Sequence, residues 1–166
     1  MLRVLVVDDE PTICDAIQAG LEEYCGATVL CRSTGVAALE VMKGQRLDAI
    51  VTDVDLSDIN GFELAERAAN LNIPILLAPG HPDAVMMCAR YSYPHLAKPF
   101  LPSDLAEKAI QIIRAAAENI AQVRASTAQL TATAADLYEA IKQARRTIAQ
   151  SLSIIARIAR GVGPNI

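Results

Sequence analysis

The strongest constraint on the fold is an alternation of short apolar runs with helical patterns through the first two thirds of the chain. Five runs have the length and apolar content of buried strands, namely residues 2–7, 28–31, 49–52 and 75–78, with a weaker one at 95–97. Strands that alternate with helices are typical of α/β proteins with a parallel sheet. The sequence therefore predicts a doubly wound, five-stranded parallel sheet.

Local signals support the helices between these strands. A helix is predicted to begin at Pro11, which suits the first helical position, and to end at Gly26. Residues 36–42 and 62–69 continue the helical pattern, and a turn signal precedes the second of them. The chain is 52% apolar but only 4% aromatic. This composition predicts a core of aliphatic side chains, as in parallel sheets covered by helices.

The last third of the chain has a different pattern. Residues 103–160 contain neither Gly nor Pro, and small or apolar side chains recur from Ile113 to Val162 at alternating spacings of three and four residues. Such a stripe, sustained for about seven heptads, is typical of a coiled coil. We predict a domain over residues 1–114 and a helical extension over residues 115–166 that serves as a dimerisation or output element.

Two structures remain open for this extension. Residues 126–135 are rich in Ser, Thr and Ala, and Thr lowers helix propensity modestly, so the extension is either one long helix or a hairpin of two. Both versions leave an apolar stripe that a lone helix cannot cover. We therefore predict a homodimer through the C-terminal helices, as a two-stranded coil or a four-helix bundle.

Charge and cysteine content restrict the class of partner. The chain has 16 acidic and 9 basic residues up to Arg114, but 3 acidic and 6 basic residues after it. The basic residues are spread around a helix without a helix-turn-helix signature, so no DNA binding is predicted. The sequence has no signal peptide, no apolar run that could span a membrane, and four cysteines without a C-x-x-C pair. These features predict a cytoplasmic protein with no membrane partner.

Charged residues follow three of the predicted strands directly. Asp8 and Asp9 follow the first strand, Asp53 follows the third, and Lys98 follows the last. Ligands in open α/β sheets bind beyond the carboxyl ends of the strands, so these side chains are expected to meet there. Adjacent carboxylates repel unless a cation compensates them, and Mg²⁺ suits carboxylate oxygens together with a phosphate. With a lysine opposite, these groups predict phosphoryl transfer onto a carboxylate.

Three motifs and their order along the chain resemble those of the response-regulator receiver domain of bacterial two-component signalling. They are Val6-Val7-Asp8-Asp9-Glu10, Asp53-Val54-Asp55-Leu56-Ser57-Asp58-Ile59-Asn60-Gly61 and Lys98-Pro99-Phe100. The resemblance covers residues 2–114 and implies a flavodoxin-like fold. It also implies that the phosphoryl donor is a sensor histidine kinase or a phosphotransfer protein, and that the chain assists only its own phosphotransfer and dephosphorylation rather than acting as an enzyme.

The resemblance assigns a role to each residue of the acidic cluster. Asp53 is similar to the family's phosphoacceptor, and Lys98 to its phosphoryl-binding lysine. Asp9 and Asp53 are similar to Mg²⁺ ligands, together with the backbone carbonyl of Asp55, and Asp8 to a ligand that acts through water. The implied cofactor is Mg²⁺.

Two positions depart from the family pattern where phosphorylation is normally sensed. Pro79 stands where the family has a Thr or Ser whose hydroxyl bonds the phosphoryl group, and Pro79 has neither a hydroxyl nor an N–H. His95 stands at the family's mobile aromatic position. We expect these switch positions to alter the step after phosphorylation, and we expect output through protein contacts of the helical extension.

Two other functions remain open. The first is a pseudo-receiver, a scaffold that keeps the acidic pocket but signals independently of phosphorylation, as Pro79 suggests. The second is a phosphatase of the haloacid dehalogenase type, because the segment from Asp53 to Ser57 resembles its D-x-D-x-T/V signature. In that case Asp55 would act as acid and base beside the nucleophile.

Overall fold

The computed structural model describes residues 1–160, in which strands and helices alternate. In chain order the elements are β1 (Arg3–Val7), α1 (Pro11–Cys25), β2 (Thr28–Arg32), α2 (Gly35–Gly44), β3 (Ala49–Thr52), α3 (Gly61–Asn70), β4 (Ile75–Leu77), α4 (Pro82–Arg90) and α5 (Pro102–Ala159). The predicted α/β fold with a parallel sheet and a long C-terminal helix is confirmed.

The four strands pair in parallel in the order β2-β1-β3-β4. β1 lies between β2 and β3, and Val7 at its end is level with Arg32 on one side and Thr52 on the other. The carboxyl ends of β1 and β3 are therefore adjacent. The residues that follow them, Asp8 and Asp53, emerge at the same edge of the sheet.

The predicted fifth strand is reduced to a single bridge between Leu77 and His95. Around this bridge the amide of Leu77 donates to Pro94 (2.9 Å), and the amide of Leu96 donates back to Leu77 (2.9 Å). The next pair is incomplete. Lys98 donates its amide to the carbonyl of Pro79 (2.9 Å), but Pro79 has no N–H to donate in return. A proline at the end of β4 thus stops the ladder after one bridge.

Both faces of the sheet are buried, as expected for a doubly wound fold. One face packs Leu5, Val7 and Ile50 against α2, α3 and α4. The opposite face packs Val4, Val6 and neighbouring side chains against α1 and the first turns of α5. Full burial of one such aliphatic side chain stabilises a fold by about 1.5 to 3 kcal/mol. The aliphatic core that the composition predicts is present, and all four cysteines are free thiols.

α1 begins and ends where the sequence predicts. Pro11 occupies its first turn, and Gly26 ends it with φ 59°, a left-handed conformation that glycine adopts without a steric penalty. α4 is a regular helix of nine residues. His81 caps it, because the His81 ring nitrogen Nδ1 accepts the amide of Asp83 (3.3 Å).

α5 continues without interruption through the Ser- and Thr-rich segment, so the hairpin version is not adopted. The hydroxyls of Thr127 and Thr131 donate to carbonyls four residues earlier, each at 2.9 Å. The hydroxyl of Thr133 does the same at 3.0 Å instead of capping a second helix. These residues satisfy their polar groups within the helix and need no break.

The chain forms two compact units, residues 1–118 and residues from 119 onward. The first unit contains the sheet and the start of α5, and the second contains the rest of α5. Val162, the last position of the predicted stripe, lies outside the described residues. Within residues 1–160, no helix combines the length and the apolar character that a membrane span requires.

Candidate functional site

Three carboxylates converge at the carboxyl ends of β1 and β3. The amide of Asp53 donates to Val7 (2.9 Å), which fixes the backbone of Asp53 beside the end of β1. One carboxylate oxygen from each of Asp8, Asp9 and Asp53 lies within 4.8 Å of the other two. Asp8 is buried, Asp53 is half-buried and Asp9 is exposed. The cluster therefore opens to solvent on the side of Asp9.

Lys98 supplies the positive charge of the cluster. Its ammonium nitrogen Nζ donates to Asp8 Oδ2 at 2.6 Å and to Asp53 Oδ2 at 2.7 Å. The side chains are largely buried, with 16% of Lys98, 1% of Asp8 and 12% of Asp53 exposed. Burial by itself lowers the pKa of Lys98. Its hydrogen bonds and charge interactions with Asp53 and Asp8 outweigh burial and raise that pKa above the usual value for lysine.

Backbone amides hold the carboxylates on their other sides. Asp53 Oδ1 accepts the amides of Val54 (2.6 Å) and Asp55 (3.3 Å), and Asp8 Oδ1 accepts the amide of Glu10 (3.0 Å). Both oxygens of Asp53 are thus engaged, one with amides and one with Lys98. A reagent that reaches Asp53 Oδ2 has to exchange places with the lysine ammonium.

The donor set of the cluster fits a hard divalent cation. Three carboxylates offer only oxygen atoms, and the exposed position of Asp9 leaves room for the water that Mg²⁺ retains. Asp55 is exposed and contacts Asp53 through its amide, while the role of its carbonyl stays a prediction.

Gly61 packs against the backbone of Asp53 and Val54. Its amide donates to Val54 (2.9 Å). A Cβ atom at Gly61 would collide with the carbonyl oxygen of Asp53 and lie 2.8 Å from the Cα atom of Val54. Glycine is therefore required here because the start of α3 approaches the backbone after β3 closely.

Asp58 connects this loop to α2. Its two carboxylate oxygens accept the amides of Gly35 and Val36, each at 2.8 Å. The Val36 hydrogen bond is the main reason that the pKa of Asp58 lies below its usual value, with the Gly35 bond acting in the same direction against a smaller effect of desolvation. The partners lie more than 20 residues away in sequence, so no local pattern could have indicated the contact.

The predicted switch positions lie on the neighbouring segments. The carbonyl of Pro79 accepts the amide of Lys98, so the backbone of the lysine is attached directly to this position. His95 forms the bridge to Leu77, and its Nδ1 atom lies 2.9 Å from the carbonyl of Tyr93. His81 caps α4 and belongs to the helix rather than to the acidic cluster.

An apolar cavity of about 510 Å³ opens beside Lys98. Ile13 and Ile17 of α1 line one side, and Pro99 and Phe100 line the other. The cavity therefore offers an apolar surface next to the charged cluster.

Comparisons with known proteins all indicate the same family. The family model described as "Response regulator receiver domain" matches residues 4–111. The alkaline phosphatase synthesis transcriptional regulatory protein PhoP of Bacillus subtilis is 32% identical over 117 residues, covering 68% of this chain and 48% of PhoP. The two-component response regulator ARR12 of Arabidopsis thaliana is 32% identical over 85 residues, covering 49% of this chain and 14% of ARR12. The chain thus spans less than half the length of either relative.

A solved structure gives the same result for the fold. A response regulator receiver protein from Sinorhizobium medicae superimposes with a TM-score of 0.64 at 28% identity, covering 69% of this chain and 96% of that one.

Proposed function

The chain belongs to the response regulator receiver family of two-component systems, and from this premise we propose that Asp53 accepts a phosphoryl group from a sensor histidine kinase or phosphotransfer protein. The observation that carries the proposal is the buried ammonium of Lys98 between Asp8 and Asp53. A cation held against the acceptor carboxylate can pass to a phosphoryl oxygen when that oxygen arrives. The proposed role is that of a phosphoprotein and not of an enzyme with an external substrate.

The proposed reaction is a transfer from phosphohistidine to a carboxylate. Asp53 Oδ2 attacks the phosphorus atom, the P–N bond breaks, and the imidazole of the donor leaves with the bonding electron pair. The product on Asp53 is an acyl phosphate. The amides of Val54 and Asp55 hold Asp53 Oδ1 and orient the attacking oxygen.

Asp8, Asp9, Asp53 and the backbone carbonyl of Asp55 are the proposed ligands of Mg²⁺, with Asp8 acting through water. When bound, the ion would neutralise the charge that develops on the phosphoryl oxygens. Lys98 would then contact the phosphoryl group and no longer the Asp53 oxygen that has reacted.

The donor protein is proposed to dock on the apolar cavity beside Lys98. This surface lies next to the acceptor, and apolar contacts from α1 and Phe100 would hold a partner close while its phosphohistidine reaches Asp53. The location that this partnership implies is the cytoplasm.

Phosphoryl labelling tests the proposal. A small-molecule phosphodonor with Mg²⁺ is expected to give an acid-labile acyl phosphate on the wild-type chain, and none on Asp53→Asn or after removal of Mg²⁺ with a chelator. Asp55→Asn is the matched control, because only the backbone of Asp55 is proposed to take part. Undiminished labelling of Asp53→Asn would refute the assignment. Turnover of a generic phosphate ester that is lost in Asp55→Asn would instead support the haloacid dehalogenase alternative.

Pro79 supports a second candidate, the pseudo-receiver scaffold. A hydrogen bond to a charged group contributes about 1.5 to 3 kcal/mol, so its loss reduces the population of a switched state about ten- to a hundredfold. If phosphodonor with Mg²⁺ changes hydrogen exchange near His95 only in Pro79→Thr, the wild-type chain acts as a scaffold. A clear change in the wild type would favour the switching response regulator.

The second unit is the proposed output element. It is proposed to form a homodimer through α5 and to contact downstream proteins rather than DNA. Sedimentation equilibrium at micromolar concentration is expected to give twice the mass of one chain, and a monomer mass would contradict the dimer while leaving the phosphoacceptor untouched.

A further inference from the structure

The second unit carries an apolar stripe whose residues are exposed on a single helix. We call it the α5 stripe, and its twelve positions are Ile120, Val123, Thr127, Leu130, Ala134, Leu137, Ile141, Ala144, Ile148, Ser151, Ile155 and Ile158. The large side chains among them are exposed, with Leu130 at 72% and Ile158 at 71%. An apolar surface of this extent marks an interaction site.

The stripe is shorter than the sequence pattern suggests. Ile113, the first position of the predicted pattern, is partly buried and packs with Ile112 against the core of the first unit. It is therefore already covered. The residues that need a partner begin at Ile120, within the second unit.

The order of residues along the stripe is symmetric about position 139. Counted from either end, the third position carries a hydroxyl residue (Thr127 and Ser151) and the fifth carries alanine (Ala134 and Ala144). The other eight positions are Ile, Val or Leu. The spacings are also symmetric, since they alternate between three and four residues and both end spacings are three.

From this symmetry we infer that two copies of the chain pair through the α5 stripe in antiparallel orientation, with a twofold axis at the level of residue 139, between Leu137 and Ile141. This inference rests on the proposed homodimer and specifies its geometry. In the antiparallel pair, Thr127 lies level with Ser151 of the other copy, and Ala134 lies level with Ala144. Large side chains meet large ones in every remaining layer, so the seam packs without a mismatch in volume.

Packing disfavours both one-heptad shifts of this register, and charge also disfavours one of them. In the symmetric register, Arg124 flanks the stripe opposite Leu152 of the other copy, and Arg145 lies opposite Thr131. The shift in one direction sets Ile141 against Ala144, and the shift in the other direction sets Ala134 against Leu137 and places Arg124 opposite Arg145 on both sides of the axis. Like charges at flanking positions are unfavourable, so the second of these shifted registers loses both charge and packing complementarity.

A parallel pair would not require the symmetry. In that arrangement every residue faces its own copy, and any order of residues along the stripe would match itself. Only an antiparallel pair needs the third position to match the tenth and the fifth to match the eighth.

The surface is large enough for a stable dimer. The stripe covers 39 residues, which in a helix correspond to about 58 Å at about 1.5 Å per residue. With a contact width of about 10 Å, each copy contributes roughly 600 Å², or about 1,200 Å² in total. Specific interfaces begin at about this size.

Cysteine cross-linking between two variants distinguishes the orientations. Full-length chains carrying Thr127→Cys and Ser151→Cys are prepared with tags of different mass, mixed and oxidised mildly. The antiparallel pair is expected to give a cross-linked heterodimer in the mixture and no specific cross-link in either variant alone. Equal sites in that pair lie about 36 Å apart along the helix axis. The unsubstituted chain gives the background from its four native cysteines.

Cross-linking of each variant with itself would establish a parallel pair and overturn the inference. A dimer mass without a cross-link in the mixture would overturn it as well. A monomer mass would remove both the proposed dimer and its geometry, and phosphoryl labelling of Asp53 then decides separately whether the proposed phosphoacceptor function stands.

Discussion

Lys98 joins three parts of the sheet edge, because its ammonium bonds Asp8 and Asp53 and its amide bonds Pro79. Replacement by Met keeps most of the side-chain volume but leaves a buried carboxylate unpaired. Loss of one partner of a buried ion pair costs about 3 to 5 kcal/mol, so Lys98→Met is expected to lower the free energy of unfolding by this order without Mg²⁺. Urea unfolding measures the change.

The matched control is the double variant Lys98→Met with Asp8→Asn, in which the unpaired charge is absent. Asp53 still lacks its lysine in this variant, so the variant is expected to recover only part of the lost stability, as coupled neighbours do in a double-mutant cycle. Strictly additive effects would show that the ion pair has no energetic role.

Gly61 leaves no space for a side chain beside the backbone of Asp53. A methyl group there forces the backbone of Asp53 and Val54 to move, and overpacking of this kind costs about 1 to 3 kcal/mol. Gly61→Ala is therefore expected to lower both the melting temperature and the rate of phosphoryl labelling. Gly44→Ala is the control, because no atom lies within 4 Å of the added Cβ. Equal behaviour of the two variants would contradict the close approach.

Asp58 makes the stability of the fold depend on pH. Its pKa is lowered in the folded chain, so its contribution is complete above the unfolded-state pKa and is lost as pH falls through the folded-state pKa. The difference in free energy of unfolding between the wild type and Asp58→Ala is expected to be constant above about pH 5 and to shrink as the pH falls below about 4. Asp55→Ala serves as the control, and a difference that stays constant with pH would contradict the hydrogen-bond assignment.

Residue positions at strand ends were predictable, whereas contacts between loops were not. Asp8, Asp53 and Lys98 meet because a parallel sheet brings the carboxyl ends of its strands to one edge, and this follows from the alternation of runs alone. The contact of Asp58 with α2 depends on how two loops pack in space. The catalytic and metal-binding roles assigned to these residues stay predictions.

At the scale of elements, the helix boundaries followed local signals and the last strand did not. Pro11 and Gly26 lie at the two ends of α1 and each affects only the adjacent turn. The local sequence is therefore sufficient to predict where this helix begins and ends. The ladder at His95 stops after one bridge because of Pro79, which belongs to another segment. The effect of Pro79 depends on which backbone groups face each other across the ladder. The continuity of α5 likewise depends on hydrogen bonds from threonine hydroxyls to backbone carbonyls, which helix propensities do not include.

The α5 stripe gives a prediction at this scale. Leu137→Asp places a charge beside the proposed twofold axis of the dimer. Burial of such a side chain is worth about 1.5 to 3 kcal/mol per copy, so the dimer is expected to dissociate at least about a hundredfold more readily. Ala132→Asp, on the opposite side of the helix, is the control and should keep the dimer mass in sedimentation equilibrium. Unchanged mass for both variants would show that the stripe is not the interface.

At the scale of the whole molecule, the two units differ in charge. Residues 1–118 contain 17 acidic and 9 basic residues, whereas residues 119–160 contain 2 acidic and 6 basic ones. Two positively charged helices repel each other, but the α5 stripe itself carries no charge. Repulsion between the exposed arginines is screened beyond about 8 Å at physiological ionic strength, so added salt should favour pairing. The family match covers most of the first unit and does not extend to the second. The proposed pairing of the second unit therefore rests on its residue pattern.

The incomplete ladder between β4 and the segment before α5 bears on local motion. Residues 94–98 are attached there by three backbone hydrogen bonds around one bridge, whereas β3 is paired on both sides. Segments with fewer protected bonds open at lower free energy than the global fold. Amide protons of Leu96 and Lys98 are expected to exchange with deuterium at least about tenfold faster than that of Val51. Equal protection would contradict this difference. Lys98 thus stands on a segment that is attached to the sheet by fewer bonds than β3, so the proposed shift of its ammonium from carboxylate to phosphoryl group would require little of the remaining structure to move.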